Sequence, residues 1–410
     1  MTSRLTPPVI DVEGRDIHGE AERLRALGRA VEVELPDGVL VWLVTDLELV
    51  KQLLTDRRVS RDTYRHWPAW GNGESELAKT WPLAVWVADR NMITAYGQEH
   101  TRLRKLVAKA FTARRTAAMR PRVEAITTGL LDRLAAHPAG EVVDLRAEFA
   151  HPLPVEVISE LLGIPGEIRD DLLHHVHAIM DTAVTAEQAQ HNNNELYRLL
   201  RELVEIKRRR PGDDVTTGLI QARAEDGDGL SEIELVDTVL LMFTAGHETT
   251  VNLLDQTIAL LLTHPEQRAR VTAGTLPWED VIEESLRLEA PFTNLPMRYA
   301  VEDIELDDVT IRRGEPIMIA FAAAGRDRKV HGPDAHRFDP DRPTRREHVA
   351  FGHGAHHCLG APLARLEAGI GLPALFARFP RVELAVPATE LKPLGSFISN
   401  GHASLPVRLG

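Results

Sequence analysis

The sequence predicts a mainly α fold, one helix-dominated domain with small β-sheets at its edges. Three observations predict it. Apolar residues recur at helical spacing from about residue 97 to about residue 263, a capping box opens one periodic stretch of about thirty residues, and the strand-like segments are short and flank that block.

The first ninety residues mix types. Val31 to Val44, "VEVELPDGVLVWLV", alternates and turns at Asp37-Gly38, which is hairpin chemistry. From Gly97 the segments "HTRLRKLVAKAF", "MRPRVEAITTGLLDRL" and "NNNELYRLLRELVEIKRRR" carry the helical period. Ser231 and Glu234 form the capping box of a stretch running to about Thr263, about 45 Å of helix at 1.5 Å per residue. Thr275 and Pro277 open another helix, "WEDVIEESLRL". Short strands follow in "DIELDDVTIRRGEPIMIA", then a loop rich in Pro and Gly, a cysteine-bearing stretch and a last helix, "PLARLEAGIGLPALFARF". No internal period or low-complexity tract divides the chain. The expected organisation is a single domain over 1–410, with a β-containing portion to about 60, a helical core over about 97–290 and a cysteine loop at 351–360.

With 410 residues, 43% of them hydrophobic, the chain can bury a large core. The net charge of −13 argues against nucleic acid and anionic membranes as general partners, since both need a basic footprint. One cysteine excludes an internal disulfide and fits a reducing compartment; no signal-like start and no apolar run of about 20 residues appears. A cytoplasmic protein without a membrane span is expected.

The cysteine, Cys358, lies in "FGHGAHHCLGAPLAR". Alone it reads as a small buried hydrophobe. Its surroundings argue otherwise: Gly352, Gly354 and Gly360 permit sharp turns or close approach, and a helix starting just after the thiol would favour thiolate through its N–H groups. As a nucleophile it would want a His base, and His353, His356 and His357 are loop neighbours that seldom supply that geometry. As a zinc ligand it lacks partner cysteines. A single thiolate ligand to haem iron suits the count.

"AGHETT", Ala245 to Thr250, sits mid-helix, where glycine costs up to about 1 kcal/mol and β-branched residues are also poor. A local opening of the helix is expected there, the plainer alternative being a Thr hydroxyl bonded to the preceding turn. A zinc-peptidase reading of His247-Glu248 fails because position 251 is Val. Glu284 and Arg287 make an i,i+3 pair, which alone is an ordinary surface feature.

Taken together and in order, these residues resemble the cytochrome P-450 family of haem-thiolate monooxygenases over essentially the whole chain. Phe351, Gly352, Gly354, His356, Cys358 and Gly360 match F-G-x-G-x-H-x-C-x-G without a gap. Ala245, Gly246, Glu248, Thr249 and Thr250 match [AG]-G-x-[DE]-T-[TS], and Glu284 with Arg287 matches E-x-x-R. Wording such as "HWPAW", "NMITAYG" and "ISNGH" is most similar to family 154, bacterial hydroxylases of steroids, macrolides and other natural products.

The resemblance implies a triangular helical prism with small sheets at its edges, haem b with Cys358 as the axial iron ligand, and dioxygen as co-substrate. Phe351, Gly352 and Gly360 would surround the sulfur. His100 and Arg104 in "GQEHTRLRKLVAKAFT", Arg298 in "LPMRYA", and His356 would meet the haem propionates. Glu248 and Thr249 would relay protons, with Gly246 and Ala245 leaving room at the haem face. Arg337 in "HRFDPDR" would close a buried triad with Glu284 and Arg287. Gly325 stands where most members have Asn, read as local variation without effect on haem binding.

Four of the six tryptophans fall between Tyr64 and Gly97, and at least two of them should form that segment's own core. Trp86, Met92, Ala245, Leu295 and Ile398 are the expected substrate-pocket residues. The implied activity inserts one oxygen atom into a C–H bond of a bulky apolar molecule, with electrons from a ferredoxin and its reductase, ultimately NAD(P)H. Oxidative coupling or ring closure on the same haem is the alternative. A monomer is expected. An acidic ferredoxin meeting an acidic protein calls for a local basic patch, for which Arg102, Lys105, Lys109, Arg114, Arg115, Arg345, Arg346 and Arg365 are available.

Overall fold

The computed structural model describes residues 6–81, 83–180, 186–222, 227 and 229–410. The predicted hairpin forms from Ala30–Leu35 and Val39–Val44, with Leu35 opposite Val39. Its turn places Asp37 at φ 62° and Gly38 at φ 73°, left-handed values that Asp and Gly tolerate. The sheet is completed in the order Ala30–Leu35, Val39–Val44, Pro316–Ala320, Asn294–Ala300 and Val59–Ser60, with only the contact between Val39–Val44 and Pro316–Ala320 parallel. Apolar burial on the hairpin strands alternates with exposure, as a sheet covered on one face requires.

The helical block is interrupted once by a short strand, Val142–Asp144, which pairs with Pro406–Arg408 and so ties the chain's end to its middle. The long helix runs without a break over Glu232–Thr263, 32 residues. Its capping box is formed on both sides: Ser231 Oγ accepts from Glu234 N at 3.3 Å and the Glu234 carboxylate accepts from Ser231 N at 2.8 Å. The expected opening at Ala245–Thr250 is absent. Thr249 instead donates to the Ala245 carbonyl at 2.9 Å, as Thr257 does to Leu253, so the hydroxyls are satisfied inside the helix and packing holds it. Twenty of its residues are buried, including polar Asp237, Asn252, Asp255 and Gln256, which fits a helix running through the centre of a domain.

Around it pack Pro152–Leu162, Trp278–Leu288 and the C-terminal helix Ala361–Arg378. The first of these packs against Gly246: a Cβ there would meet Ile158 Cδ1 at 2.8 Å. The missing side chain thus serves helix packing, and Ile158 occupies the adjacent space. Among the described residues no helix is long and apolar enough to cross a membrane.

The tryptophans are mostly core. Trp67 stacks on Trp70 and on Tyr299 at 5.7 and 5.5 Å between centroids and meets Trp81 edge-on, and all four rings are buried.

Candidate active site

The cysteine loop is shaped by glycine. Gly352 and Gly354 hold φ of 73° and 71°, and a Cβ on Gly354 would come within 2.8 Å of the Leu54 carbonyl. The loop closes when Cys358 N donates to the Phe351 carbonyl at 2.8 Å. The thiol points into a cavity of about 210 Å³ and is open to it, while protein atoms crowd its other sides. That crowding pushes the Cys358 thiol up; the N–H groups of Gly360 and Ala361, at the start of the C-terminal helix, pull the other way. Phe351 lies beneath the Arg365 guanidinium at 4.4 Å, itself held on Glu283 by bonds of 2.6 and 3.0 Å.

One wall of the cavity gathers cations. Arg104, Arg298 and His356 line it, and the His100 ring lies 4.2 Å from that of His356. Arg104 donates to the His357 carbonyl at 2.7 Å. His100 Nε2, His356 Nδ1 and Arg298 Nη1 are buried without a hydrogen-bond partner. Burial and mutual repulsion hold the charged forms back: His356 is pushed down to about 2 by burial and then by Arg61 and its other cationic neighbours, and Arg298 falls well below the usual arginine range. Unsatisfied donors in such number are rare in a folded interior. They fit the two carboxylates of a haem, and the Cys358 thiol opens onto the same cavity.

The opposite wall is the long helix. Ala245, Gly246 and Thr249 line the cavity; Glu248 does not. Its carboxylate turns into the protein and pairs with Arg146 at 3.3 Å, both side chains being buried. Arg146 also reaches Asn252 at 3.0 Å and Asp255 at 3.5 Å.

The expected triad requires a correction. Glu284 and Arg287 form a two-pronged pair at 2.7 Å, wholly buried. The third charged partner is Arg342, whose Nε lies 3.4 Å from Glu284 Oε1. Arg337 is exposed and gives only its carbonyl, which accepts from Arg287 at 3.2 Å. The turn that buries Phe338 directs the Arg337 side chain outward and brings Arg342 in, anchored on Asp334 and the His331 carbonyl. Gly325 is also more than local variation: its carbonyl accepts from Arg287 at 2.6 Å, and a Cβ there would sit 1.9 Å from the Arg287 carbonyl oxygen.

Of the expected pocket residues, Met92, Ala245 and Leu295 line the cavity. Trp86 and Ile398 do not. Trp86 packs edge-on against Phe292, which takes the lining position, and Ile398 is wholly buried in the core beside it. Phe111, Ile158, Leu241 and Phe292 complete an apolar lining that no sequence pattern marked. Helical spacing identifies buried faces but does not tell a core-facing position from a cavity-facing one.

Most of the expected basic patch is balanced internally. Arg102 pairs with Glu99 and Glu234, Arg115 with Asp213, Arg345 and Arg346 with Asp280, and Arg365 with Glu283. Lys105, Lys109 and Arg114 are exposed.

The chain is similar to known proteins over nearly its whole length. The family model "Cytochrome P450" matches residues 154–274 and 278–396. The chain is 46% identical over 405 residues to 2-hydroxy-5-methyl-1-naphthoate 7-hydroxylase of Streptomyces carzinostaticus, covering 99% of this chain and 98% of that protein. Among solved structures, CYP154A1 of Streptomyces coelicolor A3(2) matches with a TM-score of 0.92 at 52% identity, over 98% of this chain and 100% of that one. Testosterone-bound CYP154C4 from Streptomyces sp. ATCC 11861 matches with a TM-score of 0.94 at 46% identity, over 99% of each.

Proposed function

The chain belongs to the cytochrome P450 family and is an oxidoreductase of the monooxygenase class, and on that premise we propose that it hydroxylates a bulky, apolar natural product in the cavity between Cys358 and the long helix. The observation that carries this reading is the cavity itself. A lone thiol, the basic side chains Arg298 and His356 with buried unpartnered nitrogens, and a helix wall bearing Thr249 all face one apolar space.

In this reading the Cys358 thiolate would hold the haem iron, and the N–H groups of Gly360 and Ala361 would stabilise that thiolate. His100, Arg104, Arg298 and His356 would hold the haem carboxylates by charge-assisted hydrogen bonds. When bound, the haem supplies the reductive activation of dioxygen. Thr249 presents its hydroxyl to the cavity, where it can hand on a proton; Glu248, one position back and paired with Arg146, is the neighbouring carboxylate that can replenish it. The apolar side chains of Met92, Leu241, Phe292 and Leu295 exclude water and orient the substrate.

A naphthoate and a steroid appear in the names of the relatives above, which supports a polycyclic or similarly large substrate. Electrons come from a ferredoxin and its reductase, ultimately from NAD(P)H. With most arginines near the cysteine loop already paired, docking falls to Lys105 and Arg114. Lys105→Glu with Arg114→Glu should slow ferredoxin-driven reduction and weaken its salt dependence while substrate binding is kept. The protein acts as a cytoplasmic monomer.

Mass spectrometry of the product tests the reaction type. Hydroxylation adds one oxygen; oxidative coupling or ring closure removes hydrogens without adding one. A product lacking the added oxygen would overturn the hydroxylase reading.

A further inference from the structure

Arg61 is a buried cation that no sequence motif marks. It is 5% exposed and lines the cavity. It follows the strand Val59–Ser60, which pairs antiparallel with Asn294–Ala300 so that Val59 faces Ala300 and Ser60 faces Tyr299. Continuing that register by one residue sets Arg61 against Arg298. Arg61 Nη2 donates to the Pro296 carbonyl at 3.2 Å, and its Nε is buried with no partner, as is Arg298 Nη1.

The contrast with the other buried arginines is informative. Arg146 is paired with Glu248, Arg287 with Glu284, and Arg342 with Asp334. Among the described residues, no ion pair joins Arg61 or Arg298 to a carboxylate. Two guanidiniums side by side on a buried wall repel one another and have both lost hydration. Burial accordingly lowers Arg61 to about 10, with only the Tyr299 hydroxyl acting in the other direction. Such a pair is tolerated when an anion stands between the two forks, a role for which the planar guanidinium is well shaped.

We propose that Arg61 is a fifth cationic contact for the haem carboxylates, acting with Arg298 on the same carboxylate. This rests on the haem reading above and assigns a residue that the family motifs leave out. Arg61 is one residue beyond an edge strand, so its placement depends on the register with Asn294–Ala300. The same register that brings Arg298 to the cavity brings Arg61 with it.

The test is the rate at which the holoprotein loses haem to excess apomyoglobin, measured for the parent and for Arg61→Gln, each loaded with natural haem or with haem dimethyl ester. With natural haem, Arg61→Gln should lose its cofactor at least about tenfold faster, one decade being the effect of a single lost charge-assisted bond. With the ester, whose carboxylates carry no charge, the two proteins should differ by less than about twofold. Equal rates with natural haem would overturn the proposal. So would an acceleration of equal size with both haems, which would mean that Arg61 acts through the backbone at Pro296. Should Arg61→Gln not accumulate as folded protein, Arg61→Lys carries the same comparison, with a smaller acceleration expected because the charge remains and the fork is lost. A parent that takes up no haem would instead refute the haem reading itself.

Discussion

Glu248 Oε1 lies 3.3 Å from the Arg146 guanidinium, and the same guanidinium stands 3.5 Å from Asp255, so one buried cation serves two buried carboxylates about two turns apart on the long helix. Removing Glu248's charge therefore leaves Arg146 paired. Glu248→Gln should fold and retain haem and substrate binding, yet waste reductant, giving several-fold less product per electron. Thr249→Ala should behave alike, because its hydroxyl is a polar group that the helix presents to the cavity. Product yield per reductant measures both; unchanged yield in the two variants would remove them from the proton route.

Arg342 and Arg337 make a matched pair for mutation. Arg342→Gln removes a buried cation shared by Glu284, Asp334 and the His331 carbonyl and should cost about 3 kcal/mol or more. Arg337→Gln changes an exposed side chain and should stay within about 0.5 kcal/mol. Denaturant unfolding of the two variants distinguishes them. Equal losses would restore Arg337 to the triad.

Gly325→Asn places the commoner family residue at a position where a Cβ would press on the Arg287 carbonyl oxygen at 1.9 Å. Backbone cannot yield as a flexible side-chain end can, so a loss of about 1–3 kcal/mol is expected. A neutral or stabilising effect in the same unfolding measurement would contradict the packing described here.

Asp89, Tyr197 and Asp237 join the segment before Met92 to the helix Ala186–Arg209 and to the long helix. The Tyr197 hydroxyl lies 2.8 Å from Asp237 and 3.4 Å from Asp89. Arg90 donates its backbone N–H to Asp237, and Arg201 lies over the Tyr197 ring. Burial, then Asp237, pushes the Asp89 carboxyl up to about 8, and burial also raises Asp237. A carboxyl raised on folding stabilises most below its unfolded value near 3.8, and that contribution is lost as pH climbs through about 8. Asp89→Asn should therefore flatten the decline in stability between about pH 4 and 8. A slope unchanged from the parent would show that Asp89 is ionised throughout that range.

What the sequence made legible was local. The cysteine loop is one contiguous run, its glycines and histidine fixed relative to Cys358 by a few bonds, and the capping box of the long helix spans one turn. What it hid depended on direction or distance. Adjacent helical residues point about 100° apart, and here Thr249 lines the cavity while Glu248 turns toward Arg146, although they are neighbours in the motif. Arg342 meets Glu284 across 58 residues through a turn whose path no periodicity gives. Trp86 was drawn toward the pocket by composition, whereas Phe292, from another strand region, stands between it and the cavity. Arg61 carried no signal at all, because its place is set by strand register and not by its neighbours in the chain.

The central claim is that the Cys358 thiolate is the axial ligand of a bound haem, and the most direct measurement is the absorption spectrum of the reduced protein under carbon monoxide. The account predicts the strongly red-shifted Soret band of thiolate ligation in the parent and its loss in Cys358→Ala. A histidine-type spectrum in the parent, or a red-shifted band that survives in Cys358→Ala, would contradict it.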